Sequence, residues 1–344
     1  MSDSAPIVDN AILQVRDLKK HFPVRRGLLQ RQIGWVKAVD GVSFKLEQGK
    51  ILGLVGESGC GKTTTGRMIL RALDPTSGEI LFRQQSGQVV DMARLSRQQI
   101  KQVRREAQMI FQDPYSSLNP RMPVLDLISE PLVAHGWSSR DCELRVTELM
   151  ERVGLDPRYI RRYPHAFSGG QRQRIGIARA LALSPSLIVA DEPVSALDVS
   201  VQAQILNLLQ ELQQDLNLTM LFVAHDLSVV RYLCDEVAVM YQGRLVEQAE
   251  TEALFADPQH PYTAMLLNAA PAPDPHAVWM DEDEDVSEAG EVTEVGETGC
   301  AFAPRCRYSS DLCREQIPVL EDFQGGQPHL AACHHKHEVE LKGV

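Results

Sequence analysis

The sequence predicts an α/β fold built on a largely parallel sheet. Short, continuously apolar runs alternate with longer stretches in which apolar residues recur at helical spacing. The run at 51–55 is apolar throughout and is followed by glycines, as expected of a strand buried on both faces of a sheet. Further strands are expected at 42–46, 187–190, 220–224 and 237–240. Buried strands that alternate with helices are typical of a parallel sheet covered by helices.

Helices are predicted between these runs. The best-marked one has a continuous apolar face, formed by Val201, Ile205, Leu208, Leu209, Leu212 and Leu216. Between about 113 and 168 the apolar residues recur at helical spacing and no strand-like run occurs, so we expect an inserted helical subdomain there. Its clearest face is formed by Val146, Leu149, Met150 and Val153.

The chain is expected to divide into three parts. A first domain covers 1–265 and includes the helical subdomain, and a linker follows over 266–298. The linker is first proline-rich and then acidic, with nine acids and no base between 281 and 297. A small extension over 299–344 contains four of the seven cysteines.

Composition excludes several classes of protein. The chain has 344 residues, of which 44% are hydrophobic, enough for about two domains. The net charge of −11 comes mostly from the acidic run, so the rest is near neutral and no nucleic-acid partner is expected. Neither a membrane-spanning run nor a signal peptide is recognisable, so we expect a chain that is neither membrane-spanning nor exported. An odd number of cysteines then indicates a reducing compartment.

A glycine-rich loop directly follows the strand at 51–55 and precedes a helix-compatible run, the context that the pattern G-x-x-x-x-G-K-[ST] requires. Its glycines allow consecutive N–H groups to turn inward around a polyphosphate. Lys62 would neutralise phosphate charge, and the Thr63 hydroxyl would bind Mg²⁺. The predicted phosphate-binding residues are Gly56, Glu57, Ser58, Gly59, Cys60, Gly61, Lys62, Thr63 and Thr64.

Two carboxylates end the strand at 187–190. Because ligands of open α/β sheets bind at the carboxyl ends of strands, Asp191 is expected to bind Mg²⁺. Glu192 then suits a general base that polarises an attacking water.

Four further short motifs accompany the glycine-rich loop and the carboxylate pair. Phe-Ser-Gly-Gly-Gln at 167–171 resembles the signature motif of ATP-binding cassette (ABC) ATPases, and it precedes the carboxylate pair as in that family. Gln112 resembles the Q-loop residue, Ser-Ala-Leu-Asp at 195–198 the D-loop, and His225 the switch histidine. The resemblance implies a phosphate-loop ABC ATPase core with a β subdomain and the inserted helical subdomain.

The resemblance also implies a role for each residue. ATP and Mg²⁺ are the expected cofactors, with Thr63, Gln112 and Asp191 at the metal and with Glu192, His225 and Gln112 in catalysis. Ser168, Gly169, Gly170, Gln171 and Asp198 would contact the nucleotide held by a second cassette, so one chain carries only half of each site. Phe22 occupies the usual place of the adenine-stacking aromatic. Trp35 is a rival, because a basic insertion over 24–37 separates Phe22 from the following strand.

Three stretches, 111–121, 257–263 and 299–306, resemble one branch, the ATPases of dipeptide, oligopeptide and nickel importers. Within it the chain is most similar to the F-type member, which implies a paralogous D-type ATPase as partner. Two transmembrane permease subunits and an extracytoplasmic solute-binding protein would complete the importer, with this chain peripheral on the cytoplasmic face of the inner membrane. Dipeptides or oligopeptides are the expected cargo; nickel or glutathione import and a non-transport ABC ATPase are the alternatives.

Four cysteines lie near the end of the chain, at positions 300, 306, 313 and 333. Their spacing matches neither the short pairs of structural zinc sites nor the ferredoxin patterns, so spacing indicates only a cluster of soft ligands. The branch resemblance implies that Cys300, Cys306, Cys313 and Cys333 hold a [4Fe–4S] cluster, with Zn²⁺ as the alternative. The nearby histidines 329, 334, 335 and 337 are expected to be solvated.

Overall fold

The computed structural model describes residues 7, 10–27, 31–269, 298–322, 328–336, 338, 339, 341 and 343. The strands are β1 (Ala11–Arg26), β2 (Arg31–Glu47), β3 (Ile51–Val55), β4 (Ser77–Arg83), β5 (Val89–Asp91), β6 (Ala107–Ile110), β7 (Leu187–Asp191), β8 (Thr219–Val223), β9 (Glu236–Tyr241), β10 (Arg244–Glu250), β11 (Glu321–Asp322) and β12 (Leu330–Ala331). The helices are α1 (Lys62–Ile69), α2 (Arg97–Val103), α3 (Val124–Ala134), α4 (Ser139–Arg152), α5 (Gly169–Leu181), α6 (Val199–Leu216), α7 (Leu227–Leu233), α8 (Thr251–Ala256), α9 (Pro261–Ala269) and α10 (Asp311–Glu315). Short 3₁₀ turns occupy Pro157–Tyr159, Pro164–Ala166 and Ala303–Arg305.

The larger sheet has the strand order β11-β12-β10-β9-β3-β8-β7-β6. Its five strands from β9 to β6 are parallel, and every residue of β3, β7 and β8 is buried. Burial on both faces explains why these strands are continuously apolar in sequence. The strands expected at 51–55, 187–190, 220–224 and 237–240 are therefore present as β3, β7, β8 and β9, and the expected helix is α6.

The smaller sheet is antiparallel, with the order β2-β1-β4-β5, and the run at 42–46 lies within β2. The expectation that residues 24–37 form an insertion separating Phe22 from the next strand is wrong. The β1–β2 ladder continues through this stretch, with Val24 opposite Gly34 and Arg26 opposite Arg31. Backbone pairing extends the hairpin although its side chains are mostly exposed, and for that reason the apolar pattern does not reveal it.

Residues 113–168, all of which are described, contain helices and 3₁₀ turns and no strand. Helix α3 packs against α4 and α5. The residues Val146, Leu149, Met150 and Val153 are all buried in this part of the core. This stretch connects β6, the edge strand of the larger sheet, to α5.

The C-terminal part of the chain returns to the larger sheet. Strand β12 pairs with β10, with Ala331 opposite Glu247, and β11 pairs with β12. The Glu247 carboxylate is fully buried and accepts hydrogen bonds from the backbone N–H groups of Gln259 (2.7 Å) and His260 (2.9 Å). It also lies 2.7 Å from Nε2 of His329. One carboxylate thus joins β10, the start of α9 and the end of the chain.

The acidic run at 281–297 and His337 lie outside the described residues. Among the helices that the structure describes, none is long and apolar enough to cross a membrane.

Candidate functional site

The glycine-rich loop connects β3 to α1 and requires glycine at two positions. Gly56 has φ +145°, and a Cβ there would lie 2.1 Å from the Met240 carbonyl oxygen. Gly61 has φ +109°, and a Cβ there would lie 2.2 Å from the Ala38 carbonyl oxygen. The loop is therefore packed against the neighbouring backbone so closely that no side chain fits.

Lys62 is the first residue of α1 and is 5% exposed. Its Nζ donates hydrogen bonds to the carbonyl oxygens of Gly56 (2.7 Å) and Glu57 (2.9 Å). The ammonium group is thus held inside the concave side of the loop. This position suits a cation that neutralises a bound phosphate at a helix N-terminus.

Thr63, in the first turn of α1, meets Asp191 at the carboxyl end of β7. The Thr63 hydroxyl donates a 2.8 Å hydrogen bond to Asp191 Oδ1. Burial raises the pKa of Asp191, and the nearby Glu192 carboxylate acts in the same direction, while the Thr63 hydrogen bond opposes them. A hydroxyl and a carboxylate oxygen at this separation are the ligand types that Mg²⁺ prefers.

Glu192 follows β7 in a left-handed backbone conformation, with φ +46°. Its Oε2 accepts a 2.9 Å hydrogen bond from Nε2 of Gln112 and lies 3.1 Å from Nδ1 of His225. Positive φ is uncommon for a residue with a side chain, and such strained positions concentrate at functional sites. The three residues follow β6, β7 and β8, so their strands bring them together.

These groups line one open cleft of about 540 Å³. The lining residues are Ala38, Ser58, Gly59, Gly61, Lys62, Thr63, Thr64, Gln112, Glu192 and His225. Asp191 is buried beneath the cleft, and Cys60 is buried as well, with its thiol pKa raised by burial.

The residues at 168–171 and Asp198 lie elsewhere. The Ser168 hydroxyl accepts a hydrogen bond from the Gln171 N–H at 3.3 Å, and the Gln171 side chain accepts one from the Ser168 N–H at 3.1 Å, which forms a capping box at the start of α5. Gly170 is close to α6, since a Cβ there would lie 2.4 Å from Val201 Cγ1. Asp198 caps α6 and is exposed. None of them is among the cleft-lining residues given above.

Neither candidate for the adenine contact lines the cleft. Phe22 is 39% exposed, with Nζ of Lys20 at 5.1 Å from its ring centre, and Trp35 is 54% exposed. Phe22 is paired with Val36, two residues before the cleft-lining Ala38 on the same strand. Phe22 and Val36 therefore share one face of the ladder, and Trp35, which pairs with Pro23, lies on the other.

The four tail cysteines surround a single small cavity of about 20 Å³. Burial raises the pKa of Cys300, Cys306 and Cys333, the last to about 11. Burial also acts on Cys313, but hydrogen bonds from Ser310 and His335 outweigh it and lower that pKa. In the described part of the chain no group of three or more His, Cys, Asp or Glu side chains is arranged to hold a metal ion. The structure therefore gathers the predicted ligands without showing a coordination site.

The three described histidines near the last cysteine have specific partners, contrary to the expectation that they are solvated. His329 is buried against Glu247, as described above. Nε2 of His334 lies 3.0 Å from the Gln316 carbonyl oxygen, and Nε2 of His335 lies 2.8 Å from the Ser310 hydroxyl. The tail folds back on itself and brings these histidines into contact with residues far from them in sequence. The spacing of residues in the sequence could not predict these contacts.

Known proteins share these features over most of the chain. The family model described as "ABC transporter" matches residues 39–195, and the model described as "Oligopeptide/dipeptide transporter, C-terminal region" matches residues 246–313. The "Oligopeptide transport ATP-binding protein AppF" of Bacillus subtilis (strain 168) is 50% identical, over 94% of this chain and 97% of that protein. This chain is an ABC transporter ATP-binding subunit. It belongs to the ABC ATPases that carry the oligopeptide/dipeptide transporter C-terminal region.

Other relatives agree with this assignment. The "Probable peptide ABC transporter ATP-binding protein y4tS" of Sinorhizobium fredii is 47% identical, over 95% of this ABC ATPase and 90% of that protein. Among solved structures, the dimeric post-hydrolysis state of the cassette MJ0796 bound to ADP and Pi has a TM-score of 0.60 at 26% identity, covering 70% of this chain and 98% of the other. The cbiO1 structure from Clostridium perfringens has a TM-score of 0.60 at 28% identity, covering 72% and 91%.

Two residues of this ABC ATPase contact its glycine-rich loop at Glu57 without having been predicted from the sequence. The Tyr262 hydroxyl accepts a 2.9 Å hydrogen bond from the Glu57 N–H, and the Arg305 guanidinium makes two 3.0 Å hydrogen bonds to the Glu57 carboxylate. Both residues lie in stretches that resemble one branch of importer ATPases, 257–263 and 299–306. This resemblance is the only sequence feature that could have pointed to them.

Proposed function

We propose that this ATPase is the energy-coupling subunit of a peptide importer. The arrangement of Glu192 between Gln112 and His225, beside the Thr63–Asp191 pair, carries the proposal, because it supplies the groups that ATP hydrolysis needs in one cleft. Dipeptides or oligopeptides as cargo are supported by the names of the relatives and by the C-terminal region.

In the proposed reaction each cleft residue has one task. The loop N–H groups and Lys62 bind the phosphates, and Thr63, Asp191 and Gln112 would hold Mg²⁺, which supplies charge neutralisation when bound. Glu192 accepts the proton of the attacking water, and His225 positions the terminal phosphate and that water. The hydrogen bond from Gln112 and the nearby His225 ring keep the Glu192 carboxylate oriented.

The remaining half of each site is proposed to come from a second cassette. Ser168, Gly169, Gly170, Gln171 and Asp198 lie at the starts of α5 and α6 and are not among the cleft-lining residues, as expected if they serve the nucleotide of a partner. The proposed partner is a paralogous D-type ATPase. The solved structures of the MJ0796 cassette are dimeric.

Phe22 is the proposed adenine-stacking residue. It is paired with Val36, two residues before the cleft-lining Ala38, whereas Trp35 lies on the other face of the ladder. The exposed Phe22 ring is free to stack on a base that enters the cleft from this side.

The rest of the assembly is inferred from the family. Two transmembrane permease subunits and an extracytoplasmic solute-binding protein would complete the importer, with this chain peripheral at the cytoplasmic face of the membrane. We propose the divisions 1–265 for the ATP-binding domain, 266–298 for the linker and 299–344 for a cysteine-rich extension.

The cysteine-rich extension is proposed to hold a [4Fe–4S] cluster through Cys300, Cys306, Cys313 and Cys333. The donor set fits, since four thiols line one cavity. Burial favours the neutral form of three of these thiols, so a cationic metal centre would be needed to stabilise the thiolates. A bound cluster would crosslink the extension, and no redox partner for it is proposed.

Iron and acid-labile sulfide in anaerobically purified protein test the cluster. Replacing Cys300 and Cys306 by serine should remove both, whereas Cys142→Ser, in α4, should remove neither. One equivalent of zinc without a brown chromophore would refute the iron–sulfur proposal.

The proposal that each ATP site is completed by a second cassette is tested by measuring ATP turnover per molecule across a dilution series. The series is run for this chain alone and for this chain mixed with its paralogous ATPase. We expect turnover to rise with concentration and with the partner present. Turnover by the dilute, isolated chain equal to that of the assembled transporter would contradict the proposal.

A further inference from the structure

Glu57 makes hydrogen bonds through three groups, two of which join the phosphate loop to the C-terminal part of the chain. Its N–H donates to the Tyr262 hydroxyl at 2.9 Å, and its carbonyl oxygen accepts from Nζ of Lys62 at 2.9 Å. Its carboxylate accepts hydrogen bonds from both terminal nitrogens of Arg305, at 3.0 Å each. The residue is therefore held by Lys62 within the loop, by Tyr262 of α9 and by Arg305 of the C-terminal extension.

The Arg305 guanidinium is itself held in place. Its Cζ lies 5.9 Å from the ring centre of Tyr241 and 5.8 Å from that of Phe302. These two rings are packed edge to face with their centres 5.4 Å apart, and the buried Tyr262 ring packs against both. An arginine supported by aromatic rings loses less entropy when it forms a paired contact to a carboxylate.

The charge at Glu57 gives the contact a consequence for nucleotide binding. A carboxylate in a loop that binds a polyphosphate repels it, by an amount that depends on where the carboxylate is directed and on whether it is neutralised. Both side chains are about two-fifths exposed, so the pair itself adds little to folding stability. Its effect is expected on the ligand, which carries several negative charges, more than on the fold.

We propose that Arg305 is a positioning residue for ATP binding, which acts by holding and neutralising the Glu57 carboxylate. Through it the C-terminal extension sets the affinity of the phosphate loop. The residue lies between Cys300 and Cys306, in a 3₁₀ turn that packs beside the cysteine-lined cavity. The inference rests on the proposed role of the loop in nucleotide binding.

The test is equilibrium binding of MgADP to the full-length chain by calorimetry, together with KM and kcat for MgATP in the assembled transporter. Arg305→Gln should raise Kd and KM about three- to tenfold, more at low salt, and leave kcat nearly unchanged. Adding Glu57→Gln to this variant should restore binding to the level of Glu57→Gln alone, because the charge that Arg305 neutralises is then absent.

The matched control is Arg314→Gln, since Arg314 is an exposed arginine of the same extension whose ion pair, with Asp311, stays within it. It should bind MgADP as the unmodified chain does. If the unmodified chain binds MgADP and Arg305→Gln binds equally well, the positioning role is refuted while the proposed function stands. A double variant as weak as Arg305→Gln also refutes it, and failure of the unmodified chain to bind would overturn both.

Discussion

Gln112 and Glu192 are 80 residues apart in the chain, and their side chains meet at 2.9 Å. Parallel strands end at the same edge of a sheet, and these residues follow the neighbouring strands β6 and β7. His225 follows β8, the next strand, and approaches the same carboxylate oxygen. The topology alone thus places one carboxylate between an amide and an imidazole at the edge of the phosphate-loop cleft.

We expect Glu192→Gln to bind ATP normally and to lose turnover by about 10²- to 10⁴-fold, because the amide keeps the shape of the carboxylate but cannot accept a proton. Calorimetric nucleotide binding and phosphate release measure the two effects. Glu211→Gln, an exposed carboxylate of α6, is the control and should hydrolyse ATP as the unmodified chain does. Unchanged hydrolysis by Glu192→Gln would exclude it as the base.

The features of this cleft that could be predicted from sequence all depend on short patterns. The run at 51–55 and the glycines after it specify a buried strand and a loop within one local stretch. Asp191 and Glu192 are predictable as site residues because they end another apolar run. The left-handed backbone of Glu192 could not be predicted, since glutamate rarely adopts positive φ and no glycine marks the position.

Two glycines of the loop separate the effect of backbone conformation from that of space. Both Gly56 and Gly59 have positive φ, but a Cβ at Gly56 would lie 2.1 Å from a backbone oxygen, whereas a Cβ at Gly59 would meet nothing within 4 Å. We expect Gly59→Ala to cost about 1–2 kcal/mol of folding free energy and Gly56→Ala clearly more, because the β9 backbone must move. Urea unfolding of the two variants checks this, and equal losses would contradict the close approach.

The buried His260 side chain should make the free energy of unfolding depend on pH. Burial lowers its pKa from 6.5 to about 3, and its neutral Nδ1 accepts a hydrogen bond from the Tyr262 N–H at 3.1 Å. Between these pH values the unfolded chain binds a proton that the folded chain does not. Stability from this group is therefore complete above pH 6.5 and falls as pH decreases, by up to about 1.4 kcal/mol per pH unit.

The variant His260→Asn keeps an acceptor near the position of Nδ1 and removes the titration. The free energy of unfolding, measured in denaturant at pH 7.5 and at pH 5, should fall less for this variant than for the unmodified chain. Identical losses in both proteins would show that His260 does not titrate on unfolding.

Contacts between distant parts of the chain escaped the sequence analysis for a common reason. Arg305 and Glu57 are 248 residues apart, and neither belongs to a periodic pattern, so only the folded tail reveals their pairing. The outer part of the β1–β2 hairpin was missed because its ladder is built from backbone groups, while its side chains are mostly exposed and carry no alternation. Local sequence patterns are therefore sufficient to predict strands and loops. Which loop the tail contacts depends on how the folded tail packs, and local patterns do not contain that information.

Glu247 is expected to be the main anchor of the C-terminal part of the chain. In Glu247→Gln the side-chain amide can replace only one acceptor oxygen, so at least one of the donors from Gln259, His260 and His329 is left unpaired in a buried site, at a cost of about 1–3 kcal/mol each. The control is Glu252→Gln, which removes an exposed ion pair to Arg231 worth at most about 1 kcal/mol. Urea unfolding and limited proteolysis should show lower stability and earlier cleavage after residue 298 only in Glu247→Gln. If the two variants unfold at the same urea concentration, the buried carboxylate does not hold the tail on the sheet.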